Sequence, residues 1–160
     1  QDLGGTVMRE IEALALKFRA AIEEAKEEKR FNRNQRFKNF PSGCCGITSE
    51  LLAKFLYDNG YRKKITYVSA TFYDLDLENP PHAWLVIEND IVLDITGDQF
   101  KWYTEPLDFR EPVYVGPYNK FYNAFEEQSR WDCGDFRIEN IQYHSYMRLQ
   151  ELYDVICEYV

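Results

Sequence analysis

Residues 80–96 read PPHAWLVIENDIVLDIT, and they decide the fold because they predict two adjacent strands joined by a tight turn. The pair Pro80-Pro81 opens an apolar run that extends from residue 82 to residue 88. Asn89-Asp90 is a turn signal, and residues 91–96 form a second run rich in branched side chains. The stretch therefore predicts a β-hairpin within an antiparallel sheet.

Further helices and strands are predicted on both sides of this hairpin. Apolar residues at three- and four-residue steps predict helices, and runs of β-branched and aromatic residues predict strands. The predicted helices are one over 6–30, one capped by Ser42 or Gly43 and ending near 58–60, and one containing 146–156. The other predicted strands lie at 65–73, 112–115 and 136–141. Residues 116–135 are aromatic and irregular, which predicts a loop. The order predicts one α+β domain over residues 1–160.

Composition limits the partners of this domain. Its 160 residues suffice for one hydrophobic core, and a net charge of −8 disfavours nucleic acid and anionic membrane surfaces. The sequence contains no apolar run of about 20 residues, the length that a membrane span needs. Four cysteines, two of them adjacent, are too few for a disulfide scaffold, and they predict free thiols in a reducing, cytoplasmic compartment.

A second stretch, FPSGCCGITSELL at residues 40–52, places Cys45 at the start of a predicted helix. The unpaired N–H groups of a first helical turn and the positive end of the helix dipole favour a thiolate. The same N–H groups can bind the oxyanion that forms when a thiolate attacks a carbonyl. Cys45 is therefore predicted to be a catalytic nucleophile. Cys44 competes for this role but lies farther from the helix dipole.

His82 and Asp94 lie on the two strands of the predicted hairpin. Asp94 stands between Leu93 and Ile95, so its carboxylate falls within an apolar strand and requires a partner. His82 can supply an Nδ1–H donor, and the carboxylate would then fix the tautomer and stabilise the imidazolium. His82 is thus predicted to be the general base and Asp94 its orienting residue. Each residue has a structural alternative. Asp94 would then only cap a turn, and His82 would be a hydrogen-bonded histidine of the core.

Strand parity sets a condition on this pair. With a two-residue turn at Asn89-Asp90, His82 and Asp94 point to opposite faces of the sheet, because successive side chains alternate. The pair therefore requires a three-residue loop or a β-bulge in the hairpin. A three-residue loop at 89–91 would place Asp98 opposite His82 and Asp94 diagonally, so Asp98 remains an alternative orienting carboxylate.

The combined pattern resembles the transglutaminase-like branch of the papain-type cysteine hydrolase superfamily. In that group a Gly-x-Cys begins a helix, a His-Ala-Trp opens a strand, and an aspartate followed closely by threonine lies on the next strand. The resemblance spans about residues 40–100 and implies a triad of Cys45, His82 and Asp94. It also favours Cys45 over Cys44, because Ser49 follows Cys45 by four residues as in the papain-type helix.

Two positions depart from the pattern of the superfamily. Gly46 stands directly after the nucleophile, where many relatives have an aromatic residue. Asn39 stands six residues before it, where the papain group has a glutamine that donates to the oxyanion. An asparagine can donate in the same way, although its reach is shorter.

The resemblance implies a thiol-dependent hydrolase or acyltransferase that acts on amide bonds. Peptidase, glutamine deamidase and transglutaminase activities use the same residues, and a toxin or effector domain with an inhibitor or immunity protein as partner is one setting for them. A protein or peptide is the expected substrate. The sequence has no glycine-rich phosphate loop, HExxH helix or CxxC pair, so no cofactor or metal is expected. The alternative is a non-catalytic protein-binding module in which the same three residues are idle.

Overall fold

The computed structural model describes residues 5–88, 90–133 and 143–160, with side chains of the last segment from residue 149 onward. Within these residues the chain forms four α-helices and a five-stranded antiparallel sheet, which confirms the α+β class. The helices are α1 (Thr6–Glu27), α2 (Cys45–Asp58), α3 (Lys120–Asn123) and α4 (Tyr143–Cys157). The strands are β1 (Ile65–Thr71), β2 (Pro81–Ile87), β3 (Ile91–Asp94), β4 (Tyr114–Gly116) and β5 (Glu126–Asp132).

The sheet has the order β4-β3-β2-β1-β5, and each neighbouring pair runs antiparallel. The predicted hairpin, β2–β3, therefore lies inside the sheet rather than at its edge. All residues of β2 after Pro81 are buried, which is the pattern of a strand covered on both faces. This coverage is what allows a histidine near the start of β2 to be held away from solvent.

Two cores cover the two faces of the sheet. One core is formed by α1, α2 and α4 on the first face, which we call the helical face. Its largest buried members include Phe18, Leu51, Leu52, Phe55, Leu56, Leu85 and Ile156. The opposite face, which we call the aromatic face, is covered by the chain after β3. Its buried members are Val68, Ala70, Trp84, Val86, Val92, Phe100, Leu107, Phe109, Phe121, Tyr122 and Phe125.

Part of the segment predicted to be an irregular loop is a strand. Residues 126–132, EEQSRWD, pair with β1 at the edge of the sheet, and every one of them is exposed. A strand with two solvated faces lacks the apolar alternation on which sequence prediction depends. The helix α2 also begins later than predicted, because its N-cap is Cys44 rather than Ser42 or Gly43. The strand predicted at 136–141 lies outside the described residues.

A buried arginine on α1 binds the turn that follows β3. The Arg19 guanidinium donates to both carboxylate oxygens of Asp98, at 2.9 Å each, and to the carbonyls of Ile95 and Pro112 at 2.8 and 3.1 Å. The same guanidinium lies 4.9 Å from the ring centroid of Phe40, in the segment that precedes α2. Arg19 therefore connects the first helix to both of the segments that carry predicted site residues.

Within the described part of the chain, no helix is long and apolar enough to cross a membrane.

Candidate active site

The register of the hairpin brings His82 and Asp94 to the same face of the sheet. Ile87 pairs with Ile91, so a three-residue loop at 88–90 connects the strands, and the predicted three-residue loop is confirmed. The loop begins one residue earlier than the 89–91 considered from the sequence. Continuing the register past Leu85 and Leu93 sets Asp94 level with Trp84, which places its carboxylate diagonally next to His82. Oδ2 of Asp94 lies 2.8 Å from Nε2 of His82.

The carboxylate of Asp94 is buried and fully hydrogen-bonded. Oδ2 accepts from His82 and from the Tyr122 hydroxyl, each at 2.8 Å. Oδ1 accepts from the backbone N–H of Thr96 at 2.9 Å and from its hydroxyl at 3.3 Å. Asp94 is 2% exposed, and among its four donors only the imidazole of His82 can carry a charge. The carboxylate therefore holds the ring in one orientation.

The imidazole of His82 lies within an aromatic enclosure on the aromatic face of the sheet, and only 1% of the residue is exposed. Five rings surround it with centroid distances from 5.2 to 6.5 Å, and they belong to Trp84, Phe100, Phe121, Tyr122 and Phe125. These rings exclude water from the His82–Asp94 pair, which strengthens its electrostatic interaction. Trp84 therefore both shields the imidazole and packs in the core of the aromatic face.

Cys45 reaches His82 from the helical face. It is the first residue of α2 and is partly exposed, and its thiol is close enough to the His82 ring and to the backbone of Ala83 for both to lower its pKa. Ala83 faces α2 with only a methyl group, so the start of the helix can approach the backbone of β2. Since Nε2 of His82 faces Asp94, Nδ1 is the nitrogen left for the thiol. This reverses the sequence prediction, which assigned Nδ1–H to the carboxylate.

The three side chains shift one another's pKa values toward the charged forms. Burial raises the pKa of the Cys45 thiol, but the hydrogen bond and charge of His82 outweigh this effect and lower it below its ordinary value of 9.0. Burial lowers the pKa of His82, but the charge and hydrogen bond of Asp94 raise it to about 10. The pKa of Asp94 is lowered despite burial, chiefly by His82. These shifts favour a thiolate, an imidazolium and a carboxylate over the neutral forms of the three groups.

The competing residues from the sequence have other surroundings. The Cys44 side chain packs in the helical core with 2% exposure, and this burial raises its pKa to about 11. Asp98, the alternative orienting carboxylate, pairs with Arg19 rather than with His82. Asn39 is exposed in a turn, and its side chain makes no hydrogen bond to any residue in the described ranges. Only Cys45, His82 and Asp94 are therefore brought together.

Tyr122 and Gln99 contact the site but are not among the residues predicted from the sequence. Tyr122 lies 28 residues after Asp94 in a segment without periodicity, so no spacing signal points to it. Gln99 places its Nε2 3.5 Å from Nδ1 of His82 while donating to the carbonyl of Thr96 at 3.0 Å. The Thr96 N–H that binds Asp94 was a detectable signal, because Asp-x-Thr commonly forms a turn closed by the aspartate side chain.

Gly97 is needed for the close packing around Asp94. A Cβ at this position would lie 2.9 Å from Oδ2 of Asp94 and 2.8 Å from a ring carbon of Phe109. We expect Gly97→Ala to lower the free energy of unfolding by about 1–3 kcal/mol, the usual cost of overpacking. We also expect slower alkylation of Cys45 by iodoacetamide, because the carboxylate must shift from His82. Thermal denaturation and the alkylation rate measure the two effects.

Gly60→Ala is the matched control for this substitution. Gly60 has a φ of +98° and open space around its Cα, so alanine there strains the backbone without crowding any atom. It lies beyond the far end of α2, and the Cys45 alkylation rate should stay unchanged while stability falls. Equal alkylation rates in the two variants would show that Gly97 affects stability alone.

In the ranges that the structure describes, no group of three or more His, Cys, Asp or Glu side chains could hold a metal ion. All four cysteines are free thiols. Comparison of the chain with protein-family models, with curated proteins and with solved structures gives no match. The chemistry of this site therefore rests on its own geometry rather than on similarity to a known protein.

Proposed function

We propose that this chain is a thiol-dependent hydrolase or acyltransferase of the papain/transglutaminase-like kind, acting on amide bonds of a protein or peptide. The observation that carries the proposal is the buried His82–Asp94 pair, 2.8 Å apart, together with a Cys45 thiol whose pKa the same imidazole lowers. A nucleophile, a base and an orienting group in this order are the parts of a catalytic triad.

In the first half of the proposed reaction, the Cys45 thiolate attacks the carbonyl carbon and forms a C–S bond. The carbonyl electron pair moves to oxygen, and N–H groups at the start of α2 lie near enough to bind that oxyanion. When the intermediate collapses, the C–N bond breaks and Nδ1–H of His82 protonates the leaving amine. The products are an amine and a thioester on Cys45.

In the second half, the neutral His82 takes a proton from water or from an acceptor amine. The resulting nucleophile attacks the thioester, and the thiolate of Cys45 leaves. Water gives hydrolysis, as in a peptidase or a glutamine deamidase, whereas an amine gives transamidation. Asp94 stays ionised throughout and stabilises the imidazolium each time that it forms.

The setting that we propose is a toxin or effector domain that acts in a reducing, cytoplasmic compartment, with a dedicated inhibitor or immunity protein as partner. Two features support a reducing setting: the nucleophile must remain a free thiol, and the other three cysteines are unpaired as well. The net charge of −8 favours a protein partner over nucleic acid.

The test of this function is the rate of iodoacetamide alkylation against pH, with the modified cysteine located by mass spectrometry. We expect rapid alkylation of Cys45 well below pH 9, because its pKa is lowered, and a fall in rate only when acid protonates the thiolate. In His82→Gln the pH midpoint should rise toward the ordinary value of about 8.5. Amide cleavage, which also needs the imidazolium as acid, should decline as the pH passes about 10.

Cys133 and Cys157 serve as internal references, because burial raises the pKa of both thiols. They should be alkylated slowly at neutral pH in the same sample. If Cys45 titrates like these two, the triad is idle and the chain is a protein-binding module. A melting temperature for His82→Gln shows whether a slower rate reflects the lost imidazole or a lost fold.

A further inference from the structure

Tyr67 lies beside the nucleophile, on the helical face of the sheet. It is in β1, opposite Leu85 of β2, and its ring stacks on Trp131 with centroids 4.1 Å apart and planes at 15°. The stacking partner fixes the plane of the ring, and only 9% of the residue is exposed. The direction of the hydroxyl is therefore set by the packing of the sheet against α2.

That hydroxyl rests against Gly46, the residue directly after Cys45. A Cβ on Gly46 would lie 2.8 Å from the hydroxyl oxygen of Tyr67, so no other residue type fits there without movement. This explains why a glycine stands where the resemblance leads one to expect an aromatic residue. In the described part of the chain, the hydroxyl makes no hydrogen bond to another residue, although the tyrosine is nine-tenths buried. The hydroxyl oxygen is not among the fully buried polar atoms without a partner, so it reaches solvent and is open to a ligand.

The start of α2 provides a second set of unused donors at the same place. The N-cap residue Cys44 makes no side-chain cap, so no described side chain occupies the first N–H groups of the helix. The Cys45 thiol, these N–H groups and the Tyr67 hydroxyl thus lie at the same end of α2. A carbonyl group attacked by Cys45 would have its oxygen beside these donors.

We propose that Tyr67 is a further catalytic residue, which donates a hydrogen bond from its hydroxyl to the oxyanion that forms when Cys45 attacks a carbonyl. This role rests on the function proposed above. It is the role of oxyanion donor that the resemblance would give to Asn39. Burial and the nearby Cys45 raise the pKa of Tyr67 to about 12, so the hydroxyl keeps its proton at physiological pH. A backbone N–H pair and one phenolic O–H would complete an oxyanion hole.

The test compares two reagents on the intact chain with Tyr67→Phe. Acylation by p-nitrophenyl acetate passes through an oxyanion, whereas alkylation by iodoacetamide is a displacement at a saturated carbon and does not. We expect Tyr67→Phe to slow acylation of Cys45 by roughly 100- to 1000-fold, as the loss of an oxyanion donor does in other enzymes. The alkylation rate and its pH midpoint should stay as in wild type, because the ring and its stack on Trp131 remain.

Tyr61→Phe is the matched control. Its hydroxyl also has no hydrogen-bond partner, but it is fully buried and lies beyond the opposite end of α2. Both reagents should react with this variant as with wild type.

Two results would overturn the role of Tyr67. Equal acylation rates in wild type and Tyr67→Phe would show that the hydroxyl is not a donor, while the proposed function stands. A parallel loss of acylation and alkylation, with a higher pH midpoint, would show that Tyr67 acts on the thiolate instead. If wild type itself is not acylated at Cys45, the proposed function fails and the donor role fails with it.

Discussion

Replacing Asp94 with asparagine is expected to slow acylation of Cys45 by roughly 10⁴-fold, the scale seen when a triad loses its orienting carboxylate. Asparagine keeps the shape and can still bind the Thr96 N–H, but it carries no charge to hold His82 as imidazolium. The pKa of His82 should fall and that of Cys45 should rise, so the thiolate is lost near neutral pH. Release of p-nitrophenolate from p-nitrophenyl acetate measures the rate.

The same variant should lose about 3 kcal/mol of unfolding free energy, since it removes one charge of a buried pair. The pKa of Asp94 is lowered, so its contribution to the unfolding free energy is present above about pH 4, its pKa in the unfolded chain. That contribution is lost as the pH falls further. The pKa of His82 is raised to about 10, so its contribution is complete below about pH 6.5, its pKa in the unfolded chain, and is lost as the pH rises toward about 10. The stability difference between Asp94→Asn and wild type should therefore be largest between about pH 4 and about pH 6.5.

Asp98→Asn is the matched control for the carboxylate. Asp98 is also buried, four residues farther along the chain, and pairs with Arg19. Its substitution should lower stability to a similar extent but change Cys45 acylation by less than about 10-fold. If the two variants lose reactivity equally, the effect of Asp94 is on folding rather than on the charge of His82. Urea denaturation from pH 4 to pH 9 gives the stability comparison for both.

Cys45→Ala is expected to abolish acylation, with a loss on the order of 10⁶-fold as for the nucleophile of a serine protease triad. The partly exposed thiol contributes little to packing, so the melting temperature should change little. Mass spectrometry after reaction with p-nitrophenyl acetate should find no acetylated cysteine at this position. The remaining rate should equal that of the solution background.

Cys44→Ala separates the two adjacent thiols. The Cys44 side chain is buried in the helical core, so alanine should cost about 1 kcal/mol of stability while Cys45 still becomes acylated. Acylation that survives in Cys45→Ala but disappears in Cys44→Ala would reverse the assignment. The raised pKa of Cys44, about 11, argues against that result because few of its thiols are ionised near neutral pH.

The sequence alone predicted the hairpin and the meeting of His82 with Asp94 because local rules govern both. Alternation along two short strands restricts the loop to an odd length or a bulge, and that condition follows from parity alone. The start of the loop was not predictable from turn residues. Asn89-Asp90 gave the turn signal, whereas the chain turns already at Glu88, which has a positive φ of 57° without being glycine.

The parts of the site that the sequence did not predict depend on tertiary packing. Tyr122 reaches Asp94 only because the chain after β3 folds back over the aromatic face. The choice of Nε2 rather than Nδ1 for the carboxylate depends on Cys45 approaching from the opposite face of β2. Neither of these arrangements leaves a periodic or motif-like trace in the sequence. The edge strand β5 escaped for a different reason, because its side chains are solvated on both faces.

The contacts of Arg19 have a mechanical consequence for the site. One guanidinium touches Phe40, which leads into the segment before Cys45, and Asp98, which follows the strand that carries Asp94. The segments that carry Cys45 and Asp94 are therefore both linked to one side chain of α1. A displacement of this helix would move the two segments on either side of His82 together.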